Sequence, residues 1–393
     1  MLAIIADDFT GALDTGVEFV HAGLDTTLTL LPNHQQHPIV QVLTTNSRDG
    51  DALQAQQRTQ QAVRQLQGRR LFKKIDSTMR GHVGLEIETI LCESQLSKAI
   101  VCPAVIEAGR TVQQGQLCIN AVPLQHTDFA NDPHWPARSS AMAALIGRPT
   151  THIALEIVRA GTPTLALAIS SAATAIVTLD ACTNADLLNI SQAISADMLP
   201  CGALGLARPW ATQFRQGAIT KSASTMPSLA QPLLIVAGSR HTVTIEQLNR
   251  LQTEYDVLTI ELAAHFSAQQ RHAWLEHMLS SLSNRQSVLL RIPSHTLSQP
   301  EQGVLLKLLG DLTMQACQNV RLGSLMITGG ETASVVCRSL GSQGVHIGGA
   351  IEVGVPWGYL LGGIGAGLPL ITKAGGFGQP DTLLRIMRQA GCS

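Results

Sequence analysis

Short apolar runs rich in β-branched residues alternate along this chain with longer segments of helical periodicity. In the first half these runs predict strands over Leu2–Ala6, Thr26–Leu30, Val40–Thr44, Leu71–Ile75, Ala99–Cys102 and Ala175–Leu179. The segment Asp51–Gln67 has apolar residues at helical spacing and glutamines on its other face, which predicts an amphipathic helix. A repeated order of strand, helix and strand is typical of α/β folds built on a parallel sheet.

A second series of the same kind begins near Gln231. It predicts strands over Leu233–Ala237, Val257–Leu262, Ser287–Ile292 and Leu325–Thr328, and helices over Thr244–Thr253, Ala268–Leu282, Glu301–Cys317 and Thr332–Leu340. Between the two series, residues 211–232 are rich in Gly, Ser, Thr and Pro and predict a linker. The sequence therefore predicts two α/β domains, 1–228 and 229–393, each with a mostly parallel sheet flanked by helices.

The charge composition argues against several classes of protein. Lys and Arg number 27 and Asp and Glu number 28, so a formal net charge of −1 argues against a nucleic-acid-binding protein. Charged residues make up only 14%, but the long uncharged stretches Ala160–Leu179 and Val353–Thr372 are interrupted by Gly and Pro, and predict buried strands and turns instead of membrane spans. The first residues lack the pattern of a signal peptide, which predicts a cytoplasmic protein.

Two carboxylates follow the first predicted strand, and ligands of open α/β sheets bind beyond the carboxyl ends of strands. Asp7 and Asp8 are adjacent there. Because adjacent carboxylates repel, the pair needs a cation or hydroxyl donors nearby, and it could bind polyol hydroxyls or hold Mg²⁺ through water. The alternative is that Asp8 only caps the following helix.

Cationic residues follow the next predicted strands. Arg48 suits a carboxylate or phosphate because its donors fit two oxygens at once, and the alternative is a surface ion pair with Asp49. Arg110 lies in a later loop that either closes over a bound acid or is a plain connection. A dense polar set occupies the end of the Leu71–Ile75 run and the residues that follow it: Lys73, Lys74, Asp76, Ser77, Thr78 and Arg80. That set predicts binding of an anion and of hydroxyls, against the alternative of a solvated loop.

Glycine-rich turns follow three predicted strands of the second half. They contain Gly238 and Ser239, then Gly329, Gly330, Glu331 and Thr332, and finally Lys373, Gly375 and Gly376. Glycine lets backbone N–H groups approach phosphate oxygens, and the N-terminus of a helix favours an anion. None of the turns is a Walker A motif, and each alone could be a tight connection. Three such turns in one half, one of them with a cation, favour a nucleotide site.

Taken together and in order, these segments resemble the four-carbon acid sugar kinases over nearly the whole chain. The resemblance rests on ADDFTGALDTG, TNSR, KKIDSTMRGHVGLE, PAVIEAGRTVQQG, GSRHTVTIEQ, TGGETA, EVGVPWG and TKAGGFGQPD. It implies an N-terminal domain that binds an acid sugar and a C-terminal domain that binds a nucleotide. It also implies phosphorylation of D-threonate, D-erythronate or a 3-oxo-tetronate at the 4-hydroxyl, with ATP as donor.

The resemblance also implies which residues form the site. The acid sugar would be held by Asp8, Arg48 and the segment from Lys74 through Asp76, Ser77, Thr78 and Met79 to Arg80. ATP would be held by Ser239, Gly329, Gly330, Glu331, Thr332, Gly375 and Gly376. The residue patterns described above add Asp7 and Arg110 to the predicted acid site and Lys373 to the predicted ATP site. This chain departs from the family pattern at Ala203, where a serine is expected, and at Val105–Glu107, which bears on the choice of acid.

The resulting hypothesis is a two-domain kinase with its active site in the cleft between the domains. Asp8 or Asp76 would orient or deprotonate the attacking hydroxyl, Lys373 would stabilise the transferring phosphoryl group, and Mg²⁺ would bridge the β- and γ-phosphates. A non-catalytic cytoplasmic sugar-acid-binding protein and a metal-dependent lyase that uses Asp7 and Asp8 are the alternatives. The preferred acid, the metal ligands and the oligomeric state stay open, with a homo-oligomer among the possibilities.

Overall fold

Two compact units make up the part of the chain that the structure, a computed structural model, describes. The described residues are 1–31, 38–132, 134–215, 229–295 and 297–391. Those within 1–26 and 38–215 form the first unit, and those within 27–31 and 229–391 form the second. Of the predicted linker, residues 216–228 lie outside the described residues, and Ala211 lies within a helix.

The first half of the chain contains eleven strands and eight α-helices among the described residues. They are β1 (Leu2–Ala6), α1 (Phe9–His21), β2 (Thr26–Thr29), β3 (Val40–Thr44), α2 (Ala52–Gln65), β4 (Arg70–Lys74), α3 (Val83–Ser94), β5 (Lys98–Cys102), β6 (Arg110–Gln113), β7 (Gln116–Ile119), β8 (Val122–Pro123), α4 (Met142–Ile146), β9 (Thr150–Ile153), α5 (Leu155–Arg159), α6 (Thr162–Ser170), β10 (Ile176–Leu179), α7 (Asn184–Ala193), β11 (Met198–Gly202) and α8 (Leu204–Thr212).

Seven parallel strands form the main sheet of the first unit, in the order β3-β1-β4-β11-β5-β10-β9. The predicted α/β class is therefore confirmed. Sequence patterns missed β9, which is short and polar, and β11, whose MLPCG sequence includes proline and glycine. They also missed the small antiparallel sheet of β6, β7 and β8. The uncharged stretch Ala160–Leu179 was predicted as strands and turns, which is wrong for α6.

The second half continues the alternation. Its elements are β12 (Leu233–Ala237), α9 (Thr242–Glu254), β13 (Leu258–Glu261), α10 (Ala268–Ser283), β14 (Val288–Arg291), α11 (Gln299–Asn319), β15 (Ser324–Thr328), α12 (Gly330–Ser339), β16 (Gly344–Glu352), β17 (Val355–Leu361), β18 (Pro369–Lys373) and α13 (Thr382–Gln389). Within the described residues, no helix is both long and apolar enough to cross a membrane.

The sheet of the second unit is parallel in one part and antiparallel in the other. Strands β13, β14, β12, β15 and β18 pair in parallel in that order. Strands β17 and β16 continue the sheet as an antiparallel hairpin, and residues 27–29 of β2 pair with β16. Strand β16 was not predicted, because its glycines weaken the strand pattern of the sequence. Strand β17 and most of β18 lie within Val353–Thr372, which was predicted as strands and turns.

Strand β4 sends alternate side chains to opposite faces of the first sheet, as the pleat requires. Leu71 packs in the apolar cluster that includes residues of α2 and α3. Phe72 faces the other way and packs edge-on against Phe19 of α1 and beside Trp210 of α8. The next two residues of β4 continue this alternation, so Lys73 points towards α3 and Lys74 towards α1.

A buried ion pair connects β4, α3 and the loop after β3. The Lys73 Nζ lies 2.5 Å from Glu86 Oε2, and both side chains are at most 1% exposed. The other Glu86 oxygen accepts a hydrogen bond from the Ser47 hydroxyl, which also contacts Thr45 Oγ1 at 2.7 Å. Because Ser47 immediately precedes Arg48, this network fixes the loop that carries Arg48.

Replacement of Glu86 by glutamine should destabilise the first unit strongly. Glu86→Gln leaves the Lys73 ammonium buried without a counter-charge, and breaking a buried pair in this way typically costs about 3–5 kcal/mol. Denaturant unfolding of the purified variant measures the loss. The control is Glu88→Gln on the same helix, whose carboxylate pairs with Arg148 at the surface and should contribute less than about 1 kcal/mol. Equal unfolding midpoints for the two variants would contradict the structural role of Glu86.

Candidate functional site

Three neighbouring parallel strands bring the predicted acid-binding residues to one edge of the first unit. Ala6 is in register with Thr44 of β3 and with Lys74 of β4, so the strands end side by side. The residues that follow them are Asp7 and Asp8 after β1, Arg48 after β3, and Asp76 after β4. Side chains separated by about 70 positions in sequence therefore meet at this edge.

Arg48 lies between the two adjacent carboxylates. Its Nε donates to Asp7 Oδ2 at 2.7 Å, its Nη2 donates to Asp8 Oδ1 at 2.7 Å, and Nη2 lies 3.7 Å from Asp76 Oδ1. The predicted alternative, a surface ion pair with Asp49, is wrong, since Asp49 instead accepts a hydrogen bond from the Trp135 indole. The Arg48 Nη1 makes no hydrogen bond with any described residue, so its donors remain for an incoming acid.

Asp8 has two structural roles at once. Its Oδ1 accepts hydrogen bonds from Arg48 and from the Gly11 N–H at 3.2 Å, so it caps α1 as well as binding the guanidinium. The cap, which the sequence offered as the alternative, is present, and the binding of polyol hydroxyls by Asp8 stays a prediction. Asp7 is almost fully buried, and its Oδ1 has no hydrogen-bond partner among the described residues.

The loop after β4 is organised around one carboxylate. Asp76 accepts two hydrogen bonds from the Arg80 guanidinium, at 3.0 Å each. It also accepts from the backbone N–H groups of Thr78 and Arg80 and from the Thr78 hydroxyl. Met79, at the turn of this loop, has a left-handed φ of 63° and a buried side chain in the apolar core, so only its backbone can face a ligand. Ser77 accepts a hydrogen bond from Arg110, which brings the predicted later loop to the same place.

The charges at this edge shift the acidity of its carboxyls in different directions. Burial acts to raise the pKa of Asp7, but Arg48 and the neighbouring lysines outweigh it and lower the pKa overall. Burial raises the pKa of Asp8 in spite of Arg48, with Asp7 adding to the rise. For Asp76, burial is again opposed, and Arg80 and Arg48 hold the pKa well below its usual range. Asp7 and Asp76 are therefore anions that neutralise arginine.

These carboxylates are arranged for guanidinium groups and not for a metal. No group of three or more His, Cys, Asp and Glu side chains in the described ranges could hold a metal ion. Asp7 and Asp8 share Arg48, and Asp76 is paired with Arg80. A divalent cation between Asp7 and Asp8 would have to displace or repel the guanidinium, which disfavours the metal-dependent lyase.

Three parallel strands of the second unit bring the predicted nucleotide-binding turns together in the same way. Ala237 of β12 is in register with Thr328 of β15, which is in register with Lys373 of β18. A Cβ on Gly238 would overlap Thr332 Oγ1, and one on Gly375 would overlap Ser239 Oγ. Gly329 has a φ of 97° and precedes α12, so its conformation needs glycine.

The side chain of Lys373 points into the protein. It is fully buried, and its Nζ lies within hydrogen-bonding distance of Thr244 Oγ1 at 2.9 Å and of the carbonyls of Ala374, Gly375 and Phe377 at 3.0–3.2 Å. Burial lowers the pKa of Lys373 to about 8. An ammonium has three donors, so these contacts occupy all of them and fix the glycine turn. The predicted contact between Lys373 and a phosphate stays a prediction.

Several residues that hold the side chains of the two predicted sites in place were not identified from the sequence. Glu86 and Ser47 fix the Arg48 loop, and Thr244 links Lys373 to the Gly375 carbonyl by donating to it at 2.7 Å. Glu331 is exposed and accepts a hydrogen bond from Gln302. The sequence does contain a signal for Glu86, because this carboxylate lies among apolar residues on the buried face of α3. Thr244 gave no signal, because its role depends on a lysine 129 residues away.

Two known protein families match successive parts of this chain. Residues 2–210 match the family described as "Sugar-binding N-terminal domain", and residues 234–383 match the one described as "Nucleotide-binding C-terminal domain". The first match covers all the strand-end residues assigned above to the acid. The second match covers the three glycine-rich turns.

Solved structures and curated relatives match over the full length. A protein from Salmonella typhimurium LT2 superposes with a TM-score of 0.84 at 24% identity, covering 99% of each chain, which shows the fold. A Bordetella bronchiseptica protein, crystallised with citrate as a domain-swapped dimer, is 30% identical with a TM-score of 0.50, covering 99% of this chain and 98% of its own.

Among curated proteins, a D-threonate kinase from Bordetella bronchiseptica is 32% identical over 98% of this chain and 96% of its own, and one from Salmonella typhimurium is 30% identical over 97% and 96%. A D-erythronate kinase from Heliobacterium modesticaldum is 27% identical over 97% of this chain and 94% of its own, and a 3-oxo-tetronate kinase from Cupriavidus necator is 28% identical over 100% and 97%. The chain therefore belongs to the family of four-carbon acid sugar kinases.

Proposed function

We propose that this protein uses ATP to phosphorylate the 4-hydroxyl of a four-carbon sugar acid, D-threonate or D-erythronate, with a 3-oxo-tetronate as the alternative substrate. The observation that carries the proposal is Arg48, a guanidinium held by Asp7 and Asp8 with its Nη1 left over at the strand edge. A carboxylate is the ligand that such a fixed donor pair fits best. The kinase relatives supply the reaction.

The acid would bind at the carboxyl edge of β1, β3 and β4. Its carboxylate meets the remaining donors of Arg48, with Arg110 and Arg80 nearby in the loop after β4. The carboxylates of Asp8 and Asp76 accept hydrogen bonds from the polyol hydroxyls and so orient the chain of the acid. Alternating donors and acceptors of this kind suit a small molecule with a carboxylate at one end and hydroxyls along its length.

ATP would bind at the glycine-rich turns of the second unit. The three turns pack closely, since Gly238 lies against Thr332 and Gly375 against Ser239 with no room for a Cβ. Their backbone N–H groups would be the donors for the phosphate oxygens. The N-terminus of α12 adds the favourable end of a helix dipole. Mg²⁺ would enter together with ATP, because in sites of this kind the phosphates of the nucleotide and water supply many of its ligands.

A coupled assay for ADP release, run with a panel of four-carbon sugar acids, tests the proposed reaction. D-threonate should give the highest kcat/KM, since two curated relatives that are 32% and 30% identical to this chain are D-threonate kinases. Acid binding without ADP release from any of the acids would favour the non-catalytic binding protein. A preference for a 3-oxo-tetronate would select the alternative within the family. The domain-swapped Bordetella relative makes a homo-oligomer part of the proposal, which sedimentation of the same sample tests.

Replacement of Arg48 by lysine should weaken acid binding selectively. Arg48→Lys keeps a positive charge between Asp7 and Asp8 but removes the fork that leaves donors for the ligand. The KM for the acid should rise about tenfold or more, the equivalent of one hydrogen bond to a charged group, while the KM for ATP stays unchanged. Arg64→Lys, at the exposed pair with Glu93, is the control. Equal increases in both KM values would assign Arg48 to the fold instead.

Replacement of Gly330 by valine should weaken ATP binding selectively. A side chain at the first residue of α12 occupies the space that a phosphate oxygen needs next to the backbone. Calorimetry should show ATP affinity reduced by at least about tenfold, the loss of one backbone hydrogen bond to a charged group, with acid affinity retained. Gly303→Val is the control, because a Cβ there meets nothing within 4 Å. Unchanged ATP affinity in a folded Gly330→Val protein would remove this turn from the nucleotide site.

A further inference from the structure

Asp14 is a titratable group that neither the ion pairs nor the proposed binding contacts use. It lies on α1 with a half-buried side chain. Its carboxyl makes no hydrogen bond or ion pair with any described residue. In contrast, Asp7, Asp8 and Asp76 are each bonded to an arginine.

Helix geometry places the Asp14 carboxyl next to the strand edge. A Cβ on Gly11 would overlap Asp8 Oδ1 and would lie 2.8 Å from Lys74 Nζ, so this face of α1 contacts both charged groups. Asp14 is three residues after Gly11 and is therefore its neighbour on the same face. Helical side chains lean towards the N-terminus of their helix, which directs the Asp14 carboxyl back towards Gly11, Asp8 and Lys74.

The other three carboxyls of the edge are either held ionised or already engaged by hydrogen bonds. Asp76 receives hydrogen bonds from Arg80 and Thr78, which hold its pKa well below the usual range. Asp7 is also held ionised, and its Oδ2 is occupied by Arg48. One oxygen of Asp8 already accepts from both Arg48 and the Gly11 N–H. Asp14 alone among these four has both oxygens available.

The surroundings of Asp14 suit a group that exchanges a proton near neutral pH. Burial raises its pKa to about 8, with Lys74 opposing the rise and Asp8 and Glu18 adding to it. These are the charged groups that face it from β4, from the end of β1 and from its own helix. On α8, which packs against α1, Arg208 is paired with Glu18. A proton acceptor is most effective when its acidity is close to the working pH.

We infer that Asp14, and not Asp8, accepts the proton of the attacking hydroxyl in the reaction proposed above, on which this inference rests. The hydroxyl O–H bond breaks and its proton moves to an Asp14 oxygen. The hydroxyl oxygen forms a bond to the γ-phosphorus of ATP, and the bond to the β,γ-bridging oxygen breaks, so that ADP leaves with the electron pair. Asp8 orients the acid and Lys74 keeps part of the Asp14 population ionised.

The pH dependence of the Asp14→Asn and Asp8→Asn variants tests this assignment. In the wild-type enzyme kcat/KM for the acid should rise with pH up to about 8, because only the ionised carboxyl of Asp14 accepts a proton. Asp14→Asn should lower kcat by about 10²-fold and abolish this rise, with the KM for ATP unchanged. Asp8→Asn should keep the rise but shift it to lower pH, since a neighbouring anion has been removed.

Two controls separate chemistry from folding. Asp51→Asn changes an exposed helix cap, where asparagine caps as well as aspartate, and it should behave as wild type in kcat and pH profile. An Asp14→Asn protein that loses thermal stability but retains near wild-type kcat and the pH-dependent rise would overturn the inference. A rise that disappears in Asp8→Asn and persists in Asp14→Asn would assign the proton to Asp8.

A binding measurement distinguishes failure of this inference from failure of the proposed function. A wild-type protein that binds the acid and releases no ADP contradicts the kinase proposal. Calorimetry of acid binding in buffers of different ionisation enthalpy counts the protons exchanged without any turnover. That count should differ between wild type and Asp14→Asn, and an identical count would show that Asp14 does not meet the acid.

Discussion

Two adjacent carboxylates at the end of a buried strand repel each other, and in this chain the guanidinium of Arg48 makes the arrangement stable. Each of Asp7 and Asp8 receives one of its nitrogens at 2.7 Å. The strand order places β3 beside β1 and so brings Arg48 to the two carboxylates, whose negative charge it neutralises. A buried cation bound to two anions has little freedom to move, so its remaining donors are held in a fixed direction before any ligand arrives.

Because β4 is pleated, its two adjacent lysines point to opposite faces of the sheet and have different partners. Lys73 faces α3, where Glu86 neutralises it and connects it to the Arg48 loop. Lys74 faces α1, donates to the Ile75 carbonyl at 2.8 Å and lies close to the Gly11 face. A shift of one residue in the register of β4 would exchange these roles, burying Lys74 against Glu86 and directing Lys73 towards Asp8. The chemistry of the edge thus depends on strand register as much as on residue type.

Sequence patterns predicted the α/β class and the gathering of strand-end residues, because the carboxyl ends of adjacent parallel strands must lie at one edge. They could not predict where side chains point once a strand has ended. For Arg48 the sequence offered an anionic ligand or Asp49 as the partner. In the structure the guanidinium binds Asp7 and Asp8, which follow β1 about 40 residues earlier in the chain. Nothing in the sequence indicated that Lys373, predicted to contact a phosphate, would be surrounded by carbonyls of its own turn. The strand β11 was missed since proline and glycine hide a strand that its neighbours β4 and β5 impose.

The two units arrange the polar groups at their strand ends in different ways. The edge of the first unit relies on charged side chains, with Arg48, Arg80 and Lys74 set against Asp7, Asp8 and Asp76. In the second unit the buried Lys373 donates to carbonyl oxygens and so turns them inward. Carbonyls that point inward leave the opposite side of the glycine turn for N–H groups, which are the donors a phosphate needs. The buried Lys373 therefore determines which backbone groups this turn presents on its outer side.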